Sequence, residues 1–85
     1  MVKDTESEIF SVISLELSSA RSKYPAFHSG HEGYATILEE LDELWEEIRK
    51  KPRERSKDRM RKEAVQIAAM AIRFIGDICD RRDIS

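Results

Sequence analysis

The fold is decided by the stretch Ala35-Thr-Ile-Leu-Glu-Glu-Leu-Asp-Glu-Leu-Trp-Glu-Glu-Ile48, which carries an apolar stripe and a row of carboxylates at once. At about 100° per residue, an α-helix gathers the apolar side chains onto one side. They are Tyr34, Ile37, Leu41, Leu44, Trp45 and Ile48. Glu40, Glu43 and Glu47 follow one another along the edge of that side, where the helix would meet its neighbours. Like charges one turn apart destabilise a helix by roughly a few tenths of a kcal/mol per pair. A divalent cation between these carboxylates would remove that cost.

The 85 residues are few enough to form one small domain over residues 1–85. Leucine, isoleucine, alanine and long charged residues dominate, and no alternating β-branched run longer than four residues is present, so the composition indicates an all-α fold. A domain of this size buries only about 60% of its unfolded surface. We therefore predict an antiparallel helical bundle of about three helices that is completed by oligomerisation.

The boundaries of the three helices follow from caps and prolines. The first helix is predicted over residues 5–24, opened by the capping box Thr5-Glu-Ser-Glu8 and stopped by Pro25. The second is predicted over residues 30–50, opened by the capping box Ser29-Gly-His-Glu32 and closed by Pro52. The third is predicted over residues 57–82, with Ser56 as its cap.

The middle of the third helix is apolar nearly all round, which is typical of a helix buried on more than one side. Three helices cannot surround it, so a second subunit is expected to do so, in a dimer or tetramer.

The charge pattern and the cysteine content limit the cellular compartment and the binding partners that we expect. Cys79 is the only cysteine, and the chain has neither a signal peptide nor an apolar run of membrane-spanning length, so we expect a cytoplasmic protein with no membrane partner. Residues 49–62 hold nine basic residues against two acidic ones, a pattern that suits a solvated linker. The stretch lacks interleaved aromatics and the formal net charge of the chain is -2, so a nucleic-acid partner is not expected.

The third helix offers the second half of an acidic site. Glu63 and Gln66 face nearly the same way, and Glu63 lies about as far after the connecting loop as Glu43 lies before it. If the second and third helices form an antiparallel hairpin, Glu43 and Glu63 lie opposite each other. Oxygen ligands without cysteine or a placed histidine favour Mg²⁺ or Mn²⁺ over zinc, and magnesium usually completes its shell with substrate phosphates. The pattern is therefore typical of metal-assisted hydrolysis of a phosphorylated substrate, although a solvated, glutamate-rich helix face would show the same spacing.

Three further residues are candidates for contacts with the substrate. His28 and His31 flank the start of the second helix, where a histidine either serves the loop by hydrogen bonding or contacts a nucleotide. Lys62 precedes Glu63 and offers a positive charge for phosphates.

Two motifs resemble a known family. The run Glu39-Glu-Leu-Asp-Glu43, followed after nineteen residues by Glu63, resembles the E-E-x-x-E and E-x-x-D pattern of the MazG-like all-α nucleoside triphosphate pyrophosphohydrolases. Residues 31–48 and 62–75 resemble the two signature helices of its small phage and bacterial members. The likeness covers about residues 24–77.

The resemblance implies a Mg²⁺-dependent enzyme that cleaves a nucleoside triphosphate between its α and β phosphates. By position, Glu40, Glu43 and Glu63 would be metal ligands, and Glu39 would be a further ligand or the group that orients the attacking water. The last aspartate of the family pattern falls on Gln66, which keeps a carbonyl oxygen as a metal ligand but loses a charge. This departure leaves a second hypothesis open, a non-catalytic helical module that binds nucleotide or metal.

Overall fold

The computed structural model describes residues 5–81, and this range contains three α-helices and no strand. α1 spans Thr5–Lys23, α2 spans Gly30–Ile48 and α3 spans Lys57–Phe74. A 3₁₀ turn at Pro52–Glu54 lies between α2 and α3, and a π-helical turn at Ile75–Cys79 continues α3. The predicted all-α class is confirmed. No helix in the described range combines the length and apolar character that crossing a membrane requires.

Two of the predicted helix caps are made as expected. The Ser29 hydroxyl accepts a hydrogen bond of 3.1 Å from the backbone N–H of Glu32, and the Ser56 hydroxyl accepts one of 3.2 Å from that of Arg59. The Glu32 carboxylate accepts from the backbone N–H of His28 instead of that of Ser29, so the reciprocal bond of this capping box lies one residue earlier. These bonds account for the starts of α2 and α3. α1 begins at the first described residue, so what precedes it lies outside the described range.

The helix ends differ from the predicted boundaries. α2 stops at Ile48, two residues early, because the backbone donor for the Ile48 carbonyl would be residue 52, and Pro52 has no N–H. The Arg55 side chain donates a 2.7 Å hydrogen bond to this carbonyl instead. Regular α3 geometry stops at Phe74, and the helix widens into the π turn instead of running regularly to residue 82, which lies outside the described range. The π turn carries Asp77, which accepts hydrogen bonds from Arg21 and from the backbone of Phe27. This anchoring explains the local departure from α-helical geometry.

The three helices lie side by side with α3 in the middle, packed against α1 on one side and α2 on the other. α2 runs antiparallel to α3, since Gly33 meets Phe74 and Glu47 meets Ser56. α1 runs parallel to α3. The molecule measures 47 × 35 × 19 Å, and its radius of gyration is 14.8 Å, whereas about 12 Å is typical of a compact domain of this length. A single copy is therefore a flat layer with two broad faces.

The core is small and lies along α3. It consists of buried Ala20, Phe27, Ala69 and Met70, joined by partly buried Ile13, Leu17, Ile37, Phe74 and Ile78. Gly33 lets α2 approach α3 closely, because a Cβ at this position would lie only 2.5 Å from the ring of Phe74. This packing thus determines which residues of α2 lie opposite which residues of α3.

The apolar stripe of α2 is divided between core and solvent. Ile37, Leu44 and Ile48 are partly buried, whereas Tyr34, Leu41 and Trp45 are exposed. Only part of the stripe is covered in a single copy, because a flat layer covers each helix only where it meets its neighbour.

Candidate functional site

Three carboxylates from two helices converge in the groove between α2 and α3. Glu40 and Glu43 stand one turn apart on α2, and Glu63 faces them from α3. Each side chain offers an oxygen, and these oxygens all lie within 4.8 Å of one another. The antiparallel packing of α2 and α3 around Gly33 places Glu63 opposite Glu40 and Glu43. The structure thus brings together three of the four residues that the sequence nominated as metal ligands.

The carboxylate cluster of Glu40, Glu43 and Glu63 is electrostatically unsatisfied. Burial, followed by the close contact with Glu43, raises the pKa of Glu63 to about 7. Burial and the negative charge of Glu43 also raise the pKa of Glu40. The Oε2 atoms of Glu40 and Glu63 are buried and have no hydrogen-bond partner. Buried carboxylate oxygens require a proton or a cation, so the chemistry of this donor set fits a divalent metal ion.

A cleft of about 470 Å³ opens beside the cluster, between α1 and α2 with α3 as its floor. Glu40 belongs to both the cluster and the cleft lining, and Glu39 and Gln66 line the cleft next to it. The volume is within the range of about 300–1,000 Å³ that small-molecule sites occupy. The fourth predicted ligand, Gln66, and the predicted catalytic residue, Glu39, therefore line the same cleft as Glu40.

The cleft also holds positive charge that the sequence patterns did not single out. Lys23, at the end of α1, and Arg73, on α3, both line it. Arg73 is only 4% exposed, lies 4.2 Å above the ring of Phe27, and donates a 3.0 Å hydrogen bond to the carbonyl of Pro25. Its Nε is buried without a partner, and within residues 5–81 no carboxylate forms an ion pair with it. Cations and carboxylates thus share one cleft, as a ligand that carries both phosphates and a metal ion would need.

The remaining predicted substrate contacts lie outside the lining of this cleft. His28 and His31 are exposed at the start of α2, and the His28 backbone N–H is used by Glu32. Lys62 lines a smaller pocket between α1 and the start of α3. The structure does not bring these three residues to the carboxylate cluster.

Two acidic residues that lie near the site in the sequence have structural partners instead. Glu47, grouped with Glu40 and Glu43 by its spacing, is buried and accepts hydrogen bonds of 2.7 Å from the Ser56 backbone and 3.0 Å from Lys50. Those hydrogen bonds lower the pKa of Glu47. It fastens the end of α2 to the start of α3 and is not part of the cluster.

Asp77 is the second of these residues. Its carboxylate accepts hydrogen bonds of 3.0 Å from the backbone of Phe27 and 3.1 Å from Arg21. Burial alone would raise the pKa of Asp77, but these two hydrogen bonds and the positive charges of Arg21 and Arg73 together outweigh burial and lower it. Asp77 shares a helical face with Gln66, Met70 and Arg73, and this spacing was the available signal for Arg73 in the sequence.

No protein-family model, curated protein or solved structure matches the chain.

Proposed function

We propose that the chain is a Mg²⁺- or Mn²⁺-dependent nucleoside triphosphate pyrophosphohydrolase of the MazG-like type. The proposal is carried by one observation: the carboxylate cluster has two buried oxygens without partners and opens into a cleft of nucleotide size. The motif resemblance of Glu39 to Glu43 and of Glu63 supports the same reaction. The substrate class favours a cytoplasmic enzyme.

Each residue has a distinct task in this proposal. Glu40, Glu43 and Glu63 would hold the metal, and Gln66, which lines the same cleft as Glu40, would add a carbonyl oxygen. The bound ion would neutralise the substrate phosphates and lower the pKa of a water molecule. Lys23 and Arg73, which line the same cleft, attract the phosphate chain.

The reaction consumes one water molecule. Water adds to phosphorus as the anhydride bond between the α and β phosphates breaks, which yields a nucleoside monophosphate and pyrophosphate. Glu39, on the cleft rim, orients this water and accepts its proton. The contribution of the chain is chiefly the placement of charge around the phosphates.

The direct test is pyrophosphate release from a panel of ribo- and deoxyribonucleoside triphosphates with Mg²⁺ or Mn²⁺. Glu40→Gln should abolish release, because it removes a metal ligand while keeping the side-chain shape. Asp42→Asn is the matched control, since the same chemical change falls on an exposed residue outside the cluster and should leave the rate unchanged. Absence of release from every nucleotide, in wild type as in Glu40→Gln, would contradict the proposal.

A non-catalytic module that binds nucleotide or metal is the second candidate, favoured by the neutral Gln66 at a position where the resembled pattern has a carboxylate. It predicts calorimetric binding of Mg²⁺ and nucleotide without turnover. A homo-oligomer belongs to both candidates, because large apolar side chains of α2 stay exposed in a single copy.

A further inference from the structure

The segment that joins α2 to α3 forms a strongly basic end of the molecule. Residues 49–62 hold nine basic residues against two acidic ones, a formal charge of +7, so the rest of the chain carries a formal charge of -9. The segment consists of the 3₁₀ turn at Pro52–Glu54 and the first turns of α3. We name residues 49–62 the basic tip.

Hydrogen bonds hold the backbone of the basic tip in place. The Arg55 side chain donates a 2.7 Å bond to the carbonyl of Ile48 at the end of α2. The buried carboxylate of Glu47 accepts a 2.7 Å bond from the backbone N–H of Ser56 at the start of α3. The cations are therefore attached to a fixed backbone. A ligand need not order this backbone, which removes one of the costs of binding.

Most cations of the basic tip have no partner inside the protein. Arg49 and Lys50 form ion pairs of 3.5 and 3.0 Å with glutamates of α2, and Arg55 is bonded to Ile48. The side chains of the other six form neither an ion pair nor a hydrogen bond with any residue from 5 to 81, and all are exposed. They are Lys51, Arg53, Lys57, Arg59, Arg61 and Lys62.

The donors of the basic tip suit the oxygens of several phosphates. Lys57 and Arg61 lie one turn apart on the same side of α3. Arginine and lysine side chains are pure donors, and arginine binds phosphate with two parallel bonds. α3 also begins here, and since the Ser56 hydroxyl accepts only from Arg59, the N–H groups of Lys57 and Asp58 stay available. The positive end of the α3 dipole adds to the attraction for anions.

The charge density of a nucleic-acid duplex matches this surface. A duplex carries one negative charge per ~1.7 Å of its axis. The helical part of the basic tip, residues 57–62, alone extends over about 7.5 Å at 1.5 Å per residue. Several phosphates therefore lie within reach of the six unpaired cations at once.

Two features of the sequence argue against a nucleic-acid partner, and the structure limits the force of both. The first is the net charge of -2. At physiological ionic strength the Debye length is about 8 Å, so a phosphate at the basic tip responds to the local charges and not to the sum over the chain. The α2 carboxylates nearest the tip, Glu46 and Glu47, are paired with Arg49 and Lys50. The second feature is the lack of aromatic residues, which affects base stacking and leaves phosphate contacts unchanged.

The same lack of aromatic and other large apolar side chains favours a duplex over two other polyanions. No residue of the basic tip is among the exposed large hydrophobic residues. Proteins hold single strands largely by stacking bases on aromatic rings. Surfaces that bind membranes insert tryptophan, phenylalanine or leucine between the lipids. A duplex presents its phosphates outward and requires neither.

We propose that the basic tip binds the phosphate backbone of a nucleic-acid duplex without sequence preference. This inference goes beyond the proposed catalytic function and does not rest on it. On α3, the residues that line the cleft begin at Gln66, nine residues after Lys57, or about 14 Å along the helix. Binding at the tip therefore uses no residue of the cleft.

The first test is fluorescence anisotropy with two labelled DNA duplexes of unrelated sequence, each of about 20 base pairs. Wild type should bind both equally, with a Kd of about 1–100 µM at physiological salt. For about five phosphate contacts, log K should fall with log salt concentration with a slope of about -4 to -5. No binding at about 50 mM salt, a slope shallower than about -1, or a strong preference for one sequence would overturn the proposal.

The second test locates the surface by removing single charges. Lys57→Gln should weaken binding severalfold and reduce the salt slope by about one, and the double variant with Arg61→Gln should reduce it by about two. Lys23→Gln is the matched control, because it removes the same charge from an exposed lysine at the end of α1, at the opposite end of the layer. It should bind as wild type does. Equal weakening in Lys23→Gln and Lys57→Gln, with intact circular dichroism spectra, would overturn the assignment to the tip.

The third test compares polyanions at one salt concentration. The probes are the duplex, one of its strands alone, and vesicles of phosphatidylcholine with phosphatidylserine. The duplex should bind most tightly. Binding of the vesicles or of the single strand that equals or exceeds binding of the duplex would overturn the proposal, and would assign the basic tip to an anionic membrane or to single strands.

Discussion

A carboxylate oxygen of Glu40 on α2 lies within 4.8 Å of one on Glu63 of α3, and the Oε2 atom of each side chain is buried without a hydrogen-bond partner. Two acidic groups held together by the packing of two helices destabilise the metal-free fold. The same contact becomes stabilising once a proton or a cation lies between them.

Divalent metal should therefore stabilise the folded chain. Mg²⁺ or Mn²⁺ at a hundredfold excess over its Kd contributes about 2.7 kcal/mol, which raises the Tm of a chain of this size by on the order of 10 °C. Chelation with EDTA should reverse the rise in Tm. Glu63→Gln should lose most of the rise and Asp42→Asn should keep it. Equal metal-induced shifts in both variants would rule out the carboxylate cluster as the binding site.

Without metal, stability should fall as the pH rises from about 5 to about 8. The pKa of Glu63 is raised from 4.5 to about 7, so between these values the folded state binds more protons than the unfolded state. The free energy of unfolding then decreases with pH across that window, by at most ~3 kcal/mol for this group. Glu47 and Asp77, whose pKa values are lowered, remain ionised over this range and add no slope.

Urea unfolding in EDTA at a series of pH values measures this slope. Glu63→Gln should make the slope shallower, because the variant has no titrating group at this position and only Glu40, whose pKa burial and Glu43 also raise, still contributes. A wild type that becomes more stable as the pH rises through this window would contradict the assignment.

Replacing Gln66 by aspartate should strengthen metal binding by about tenfold, or ~1.4 kcal/mol, because it adds a charged oxygen ligand beside the cluster. Turnover of nucleoside triphosphates should rise with it if Gln66 limits activity. Calorimetric titration with Mn²⁺ and a pyrophosphate assay measure the two effects, with Gln66→Ala as the control for loss of the amide. Unchanged affinity in Gln66→Asp would place this residue outside the metal site.

Loss of the Asp77 charge should destabilise the fold. Asp77→Asn weakens two hydrogen bonds to a buried carboxylate and removes a negative charge that interacts with the buried Arg73, for an expected loss of about 2–3 kcal/mol. Exposed Asp80→Asn, three residues along the chain, is the control and should change stability by less than about 0.5 kcal/mol. Chemical denaturation measures the free energy of unfolding of both variants. Equal losses of stability would contradict an anchoring role for Asp77.

Gly33→Ala should cost about 1–3 kcal/mol through overpacking, because the new methyl group would lie 2.5 Å from the ring of Phe74. Gly30→Ala is the matched control, since a Cβ there lies 3.9 Å from the same ring, an ordinary contact distance. Thermal unfolding compares the two. A Gly33→Ala protein as stable as Gly30→Ala would show that α2 and α3 adjust to the extra volume.

Local signals in the sequence predicted the helices well. Apolar spacing placed all three, and the side-chain oxygens of Ser29 and Ser56 make the cap bonds that their positions indicated. The cluster was also predictable, because Glu43 and Glu63 lie at similar distances from one connecting loop in an antiparallel hairpin. Such features depend on neighbours within one or two helical turns, or on one short connection.

Features that depend on distant packing were not predictable in the same way. Glu47 has the spacing of a cluster member, yet the loop after α2 brings the Ser56 backbone to it. The Asp77 carboxylate accepts a hydrogen bond from the backbone of Phe27, 50 residues away in the sequence. No sequence pattern predicts a π turn at that point. The burial of Arg73 likewise follows from the path of the loop before α2, which lays Pro25 and Phe27 over its guanidinium.

The central position of α3 has a consequence for synthesis. α1 and α2 both have their main packing surface on α3, which is synthesised after them. A nascent chain that ends before residue 57 therefore carries two helices without the element that covers their apolar sides, and isolated helices of this length are only marginally stable in water. Productive folding must wait until α3 emerges, so the chain acquires its structure in one late step after translation of the third helix.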